Sequence, residues 1–248
     1  MDVDDAGDLS RSARLPRALL AYAVALALFL LVPPTLHPTV GPPRWFTLQE
    51  AADLLTPVVV IPLAWFVLDR SGETRGRPLL AFLVIAAVWV EAQGIHLAAN
   101  AIGDAYARGD VRDAFYATDG GDLDHWLDEV LSHWLWHVAW AALAILMVVV
   151  ATRRRVWPAG PGGATSAVAG LIHGLTFFFV TTEGATTALG IPLSILLLAR
   201  SGWLTRAGST HPVLRFTLVS SVATLLAYLG WAALNGWQLV EPCEVLHC

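Results

Sequence analysis

The sequence predicts an all-α integral membrane protein, a seven-transmembrane helix bundle with its N-terminus inside and its C-terminus outside. Of its 248 residues, 56% are hydrophobic and only 14% are charged, whereas a soluble domain carries about 25% charged residues. Seven stretches approach the roughly 20 apolar residues that cross a bilayer. Most Arg residues lie in every second connection between the spans, and basic residues favour cytoplasmic loops. These three observations predict a multi-pass protein of the cell (plasma) membrane.

The seven spans divide the chain into a short tail, a helical domain and a second short tail. We expect spans at 17–34, 48–68, 78–103, 126–151, 164–182, 185–199 and 213–237. The first has no small-residue cleavage site before Pro33, so it is interpreted as a retained span rather than a signal peptide. The predicted organisation is therefore an acidic and Arg-containing N-terminal tail at 1–16, a transmembrane domain at 17–238 and an outer C-terminal tail at 239–248.

The Arg residues set the predicted orientation. The chain has 15 basic residues, all of them Arg. One set of alternate connections holds Arg11, Arg14, Arg17, Arg70, Arg75, Arg77, Arg153, Arg154, Arg155, Arg200, Arg206 and Arg215, and the other holds Arg44, Arg108 and Arg112. A wrong number of spans would scramble this partition, so it supports seven spans with the N-terminus inside.

One connection is long and acidic. The outer loop 104–125 contains Asp104, Asp110, Asp113, Asp119, Asp122 and Asp124. Two interpretations stay open: a solvated acidic loop, or a lid or cation funnel over a site.

Four His residues in three predicted spans converge on one depth. Ionisable side chains are costly in a bilayer, so each one in a span is a functional-site hypothesis. The helical rise of 1.5 Å per residue places His96, His133, His137 and His173 in a slab about 6 Å thick in the outer half of the membrane. The site is therefore expected to face the extracytoplasmic side.

Helical spacing predicts metal binding by these His residues. His133 and His137 are four apart and share a helix face, where two imidazoles can chelate one ion. With His96 and His173 they make up to four nitrogen ligands. Zinc is the expected metal, and iron or copper also suit imidazole.

Nearby polar residues supply candidate catalytic groups. Glu129 lies on the face of His133 and is the candidate general base, and Asn100 could help hold a developing oxyanion. Glu91 is deep in the third span, about 140° around the helix from His96. It could orient a His side chain without binding the metal itself. Asp128 lies about 140° from His133 and allows the same interpretation.

Two other groups have unassigned roles. Glu50 and Asp53, three apart at the outer start of the second span, could complete a second cation site. Cys243 and Cys248 lie in the outer tail, where a disulfide is permitted.

Three functions fit this pattern. The first is zinc-dependent hydrolysis of a lipid ester or amide that enters from the membrane. The second is a di-iron or copper oxidase acting on a hydrocarbon chain. The third is a non-enzymatic protein that handles protons or a divalent cation. The inner halves of the spans are interpreted as almost wholly apolar, which disfavours a path through the membrane. No nucleic-acid partner is expected.

The His-bearing spans are similar in inventory to the membrane hydrolases of the alkaline ceramidase and progestin/adiponectin-receptor type. In those families HxxxH lies on the last span, whereas here His133 and His137 lie on the fourth. The resemblance is therefore limited to the kinds of residue, and it assigns no family.

Overall fold

A computed structural model describes residues 3–36, 38–40, 46–107, 111–153, 162–242 and 245. Its helices are α1 Val3–Leu31, α2 Leu48–Ser71, α3 Arg77–Ala107, α4 Arg112–Tyr116, α5 Asp119–His125, α6 His133–Arg153, α7 Gly163–Glu183, α8 Thr187–Arg206 and α9 Pro212–Leu234. A π-helical segment, Trp126–Ser132, joins α5 to α6. A 3-10 turn at Pro33–Thr35 and a two-residue antiparallel pairing of Thr39–Val40 (β1) with Phe46–Thr47 (β2) connect α1 to α2.

The prediction of seven membrane-length helices is confirmed in the described part of the chain. Seven helical stretches there are long and apolar enough to cross a membrane. The shortest predicted span, 185–199, extends in the structure to Thr187–Arg206. The fourth is longer than predicted, since α5, the π-helical segment and α6 form one continuous stretch over Asp119–Arg153.

The acidic loop is more ordered than the sequence predicted. Helix α3 continues to Ala107, and α4 and α5 follow within the stretch that was expected to be a loop. Asp113, Asp119 and Asp122 are exposed, whereas Asp124 is buried near Gly103. Asp110 and the side chain of Asp104 lie outside the described residues, as do Arg44, Arg108, Arg154, Arg155, Cys243 and Cys248.

The start of α2 follows from its sequence. Thr47 and Glu50 form a capping box: the Thr47 hydroxyl accepts from the Glu50 backbone N–H, and the Glu50 carboxylate accepts from the Thr47 backbone N–H. This exchange satisfies backbone donors that the first helical turn cannot pair internally. It fixes Glu50 and, one turn along, Asp53 at the beginning of the helix.

Helix α1 bridges two groups of helices. In the first group α1 packs against α2, α2 against α3, and α3 against α6. In the second group α1 packs against α7, α7 against α9, and α9 against α8. The approach of α7 to α9 is very close, because a Cβ atom at Gly170 or Gly174 would collide with the backbone oxygens of Phe216 or Ser220. Small residues of this kind let helix backbones approach in membrane proteins.

The bundle has two chemically distinct ends. At one end Arg14 and Arg17 of α1 line the same groove as Arg70 of α2, and His211 at the start of α9 hydrogen-bonds the Ser71 carbonyl oxygen at 2.9 Å. We call this the Arg-rich end. The opposite end, which carries α4 and α5, is the acidic end.

Candidate functional site

A group of His and acidic side chains, all buried or partly buried except one half-exposed Glu, lies between α2, α3, α6 and the π-helical segment, toward the acidic end. We call it the His–acid cluster, and it consists of Asp53, His96, Asp128, Glu129, His133 and His137. At its centre the Nδ1 atom of His96 is 2.7 Å from the Oδ1 atom of Asp128. The Asn100 amide donates to His96 Nε2 at 3.0 Å. His96 therefore has a polar partner on each ring nitrogen.

The π-helical segment explains how Asp128 reaches this position. In a π-helix the hydrogen bonds run between residues five apart, and such segments occur frequently at functional sites. Asp128 and His133 are five apart, so the wider turn brings Asp128 toward the face that carries His133. The sequence prediction assumed α-helical geometry and put these two residues about 140° apart; it also proposed that Asp128 could orient a His, and Asp128 lies against His96.

His133 and His137 lie one turn apart with nearly parallel rings. Their ring centroids are 5.9 Å apart with an interplanar angle of 17°, and the His133 centroid is 5.3 Å from that of His96. Glu129 Oε2 is 3.8 Å from His133 Nδ1, too far for a hydrogen bond. His133 Nδ1 and His137 Nε2 are buried without hydrogen-bond partners. Two ring nitrogens on one helix face are therefore open to a further partner.

The turn between α7 and α8 covers this His pair. Thr186 Oγ1 lies 2.5 Å from His137 Nδ1. A Cβ atom added to Gly184 would come within 2.8 Å of His137 Cε1 and 3.1 Å of His133 Nδ1. Only glycine therefore fits at this position without displacing the imidazoles.

The acids at the start of α2 belong to the same region. Asp53 is 8% exposed and interacts electrostatically with His96, Asp128 and Glu50. Glu50 uses Oε2 in the capping box, while its Oε1 is buried without a hydrogen-bond partner. The sequence left open a second cation site for this pair; in the structure Asp53 lies within electrostatic range of the His96–Asp128 pair.

Two predicted site residues lie elsewhere. Glu91 is exposed on the flank of α3. His173, on α7, is buried with both ring nitrogens engaged: Trp140 Nε1 donates to His173 Nε2 at 3.0 Å, and Ser220 Oγ is 2.8 Å from Nδ1. The structure thus brings His96, His133 and His137 together and places His173 in a second polar site.

This second site contains two small cavities of about 20 Å³ each. Both are lined by His173, Trp140 and Ser220, and one also reaches Ser194 and Thr224. A cavity of roughly 10–15 Å³ with polar walls is large enough for one water molecule. Each cavity therefore has space and hydrogen-bonding partners for a single water.

Buried hydroxyl groups lie between the two sites. The Thr186 hydroxyl contacts His137 Nδ1 and donates to the backbone carbonyl oxygen of Thr181. The Thr181 hydroxyl hydrogen-bonds the Tyr228 hydroxyl on α9. Tyr228, Thr224 and Ser220 then follow at four-residue intervals along α9 and share one helix face. These Ser and Thr side chains look unremarkable in a hydrophobic stretch of sequence, and the sequence analysis did not single them out.

A layer of Trp side chains lies beneath the cluster. The Trp89 ring centroid is 5.9 Å from that of Trp136 and 5.8 Å from that of Trp140. Trp136 also contacts the rings of His96 and His137. The hydroxyl row therefore passes beside an aromatic layer.

The described residues do not form a ready metal centre. No group of three or more His, Cys, Asp or Glu side chains among them is arranged to hold a metal ion. Of the four predicted ligands, His96 is engaged by Asp128 and Asn100, and His173 by Trp140 and Ser220. The other two, His133 and His137, each keep one ring nitrogen without a hydrogen-bond partner. The donors present do not fit the predicted four-His centre.

Fold and site together define a helical protein in which seven described helices are long and apolar enough to cross a membrane, with a His–acid cluster at one end. The chain matches no protein-family model, and neither the curated proteins nor the solved structures include a match to it. The functional argument therefore rests on the side chains themselves.

Proposed function

We propose that this is a non-enzymatic membrane protein that handles protons, taking them up at the His–acid cluster and passing them toward His173. The observation that carries the proposal is the 2.7 Å contact of His96 with Asp128, beside the ring of His133 and within electrostatic range of the buried Asp53. Buried His and acidic chains of this kind mark proton relays in membrane proteins.

The chemistry of the cluster suits proton transfer. Imidazole is the side chain that exchanges protons nearest neutral pH. Asp128 lies 2.7 Å from His96 Nδ1 and can exchange a proton with it, and the adjacent His133 ring offers a second acceptor. Glu129, which is half exposed, supplies a carboxylate at the exposed edge of the His–acid cluster.

The route away from the cluster begins at His137 and Thr186. Ser, Thr and Tyr hydroxyls both donate and accept hydrogen bonds, so they can pass a proton by reorientation where they contact one another, as Thr181 and Tyr228 do. The row ends at Ser220 and His173, where the two cavities allow water to take part. The His173 site is thus the inner station of the proposed path.

The test is proton flux into proteoliposomes. Purified protein is reconstituted with a trapped pH-sensitive dye, and a potassium diffusion potential drives protons inward. We expect dye acidification above that of empty vesicles, and we expect Asp128→Asn and His96→Asn to reduce it to the empty-vesicle level. Glu91→Gln, which removes an acid outside the cluster, is the matched control and should retain the wild-type rate. Flux equal to that of empty vesicles for the wild type refutes the proposal, as does full flux in Asp128→Asn.

The proposed location is the plasma membrane, with the cluster on the extracytoplasmic side. This is supported by the bias of basic residues toward the Arg-rich end, which the positive-inside rule assigns to the cytoplasm. In a Cys243→Ser/Cys248→Ser background, single cysteines are introduced as Ala117→Cys and Ala207→Cys, both at exposed turns. A membrane-impermeant maleimide should label the first and not the second in intact cells, and the reverse pattern contradicts the orientation.

A metal-dependent hydrolase is the second candidate. It is favoured by the two open imidazole nitrogens, His133 Nδ1 and His137 Nε2, which lie one turn apart beside Glu129. A bound zinc ion would supply an activated water for attack on a lipid ester or amide, and these two His residues would hold it with one further ligand.

Elemental analysis separates the candidates. The wild-type protein is compared with His133→Ala/His137→Ala at matched folding. Zinc at about one per chain that disappears in the variant would support the hydrolase, while iron or copper would support an oxidase acting on a hydrocarbon chain. Absence of stoichiometric metal in both proteins after reconstitution with each ion would rule out the metal-dependent functions.

A further inference from the structure

A groove of about 280 Å³ lies between α1 and α2 at the Arg-rich end, far from the His–acid cluster. Its polar wall consists of Arg14 and Arg17 on α1 and Arg70 on α2. Among the described residues that line it there is no acidic side chain. The three guanidinium groups therefore give this wall of the groove a cationic character.

The rest of the groove is apolar. Ala18 and Ala21 follow the two Arg residues on the same face of α1, and Leu63 and Phe66 line the α2 side. The Arg70 guanidinium carbon lies 3.0 Å from the centre of the Phe66 ring, and Nη1 donates to the Phe66 carbonyl oxygen at 3.4 Å. This stacking holds a cationic group over the apolar floor.

The groove also lies at a specific depth. The membrane-length part of α1 begins at Arg14, and that of α2 ends at Ser71, next to Arg70. The three guanidinium groups therefore lie at the boundary where an apolar core meets lipid headgroups, and the alanines lie one turn deeper. An occupant must carry negative charge at the boundary and hydrocarbon below it.

We propose that this groove binds one anionic glycerophospholipid. Its phosphate contacts the guanidinium groups of Arg14, Arg17 and Arg70, and the first part of an acyl chain covers Ala21 and Phe66. Guanidinium groups bind phosphate oxygens through paired hydrogen bonds, and basic pockets between transmembrane helices bind lipid headgroups. The volume approaches that of small-molecule sites, and a phosphate ion alone would leave the apolar floor uncovered. This inference does not depend on proton handling.

The test is native mass spectrometry of the delipidated protein in detergent. Dioleoyl-phosphatidylglycerol and dioleoyl-phosphatidylcholine are titrated separately, and the singly bound population is measured for each. We expect a marked preference for phosphatidylglycerol in the wild type. Arg14→Gln/Arg17→Gln should weaken phosphatidylglycerol binding by about 30-fold, from about fivefold for each Arg, and leave phosphatidylcholine binding unchanged.

The matched control is Arg75→Gln/Arg77→Gln, which removes two exposed Arg residues at the same end but outside the groove. It should keep the preference for phosphatidylglycerol. Ala21→Leu fills the apolar floor without changing charge, so it should weaken the lipid adduct. Inorganic phosphate at equal ionic strength should not displace the lipid.

Four outcomes would overturn the proposal. These are equal binding of the two lipids, equal losses in the groove and control variants, no effect of Ala21→Leu, and displacement by inorganic phosphate. Circular dichroism and thermal unfolding in detergent establish that each variant is folded before its binding is compared.

Discussion

Replacing Asp128 by Ala is expected to uncouple the π-helical segment from α3. The change removes the carboxylate that lies 2.7 Å from His96 Nδ1 and leaves that ring nitrogen without its partner. Because the side chains of His96 and Asp128 are only 18% and 17% exposed, the interaction energy should exceed that of a surface ion pair.

The expected magnitude follows from this partial burial. Exposed ion pairs contribute about 0.2–1 kcal/mol, and removing one partner of a fully buried pair costs about 3–5 kcal/mol. The pair of His96 and Asp128 lies between these limits, so a coupling free energy of roughly 1–3 kcal/mol is expected.

A double-mutant cycle measures the coupling free energy of His96 and Asp128. The free energy of unfolding is measured in mixed micelles by reversible titration with SDS for the wild type, Asp128→Ala, His96→Ala and the double variant. The cycle cancels the separate effects of each substitution. A second cycle with Glu129→Ala and His96→Ala is the matched control and should give a smaller coupling, since Glu129 makes no direct contact with His96.

The result also tests the cluster itself. A coupling below about 0.5 kcal/mol between Asp128 and His96, the usual error of additivity, would contradict the contact on which the cluster is built.

Three further changes probe the surroundings of the site. Gly184→Ala should destabilise the protein by about 1–3 kcal/mol, because the added methyl group meets the rings of His133 and His137. Gly94→Ala is the control, since it has open space around it and should not destabilise the protein. Equal free energies of unfolding for the two variants would disprove this packing. Ser220→Ala should cost about 1–3 kcal/mol by leaving His173 Nδ1 unpaired, and thermal unfolding identical to the wild type would show that the bond is unimportant. Thr47→Val should cost about 1 kcal/mol through loss of the capping box, while Thr35→Val, at an exposed turn, serves as its control; similar losses in both would argue against a capping role.

Much of the architecture was predictable from one-dimensional patterns. Apolar stretches of membrane-spanning length need no knowledge of neighbours, because each helix satisfies its own backbone hydrogen bonds. The shared depth of His96 and His133 was likewise visible, since helical rise converts sequence position into depth. The proximity of His133 and His137 followed from their four-residue spacing.

The partners of these residues were not predictable in the same way. Asp128 reaches the cluster through a change from α- to π-helical winding, which a fixed 100° step does not anticipate. His173 has a suitable depth but packs against Trp140 and Ser220, and that choice depends on which helices are neighbours. Glu91 looked functional because it is charged and central, yet it lies on an exposed flank of α3.

The number of membrane-length helices and the common level of His96 and His133 along the bundle follow from the sequence, because hydrophobicity and helical rise are properties of each segment alone. The association of Asp53 and Asp128 with His96, the separate site of His173 and the hydroxyl groups between the two sites appear only in the folded bundle. Those relations depend on helix rotation and on which faces meet. Packing between distant segments sets both, and the pattern within a single span does not specify them.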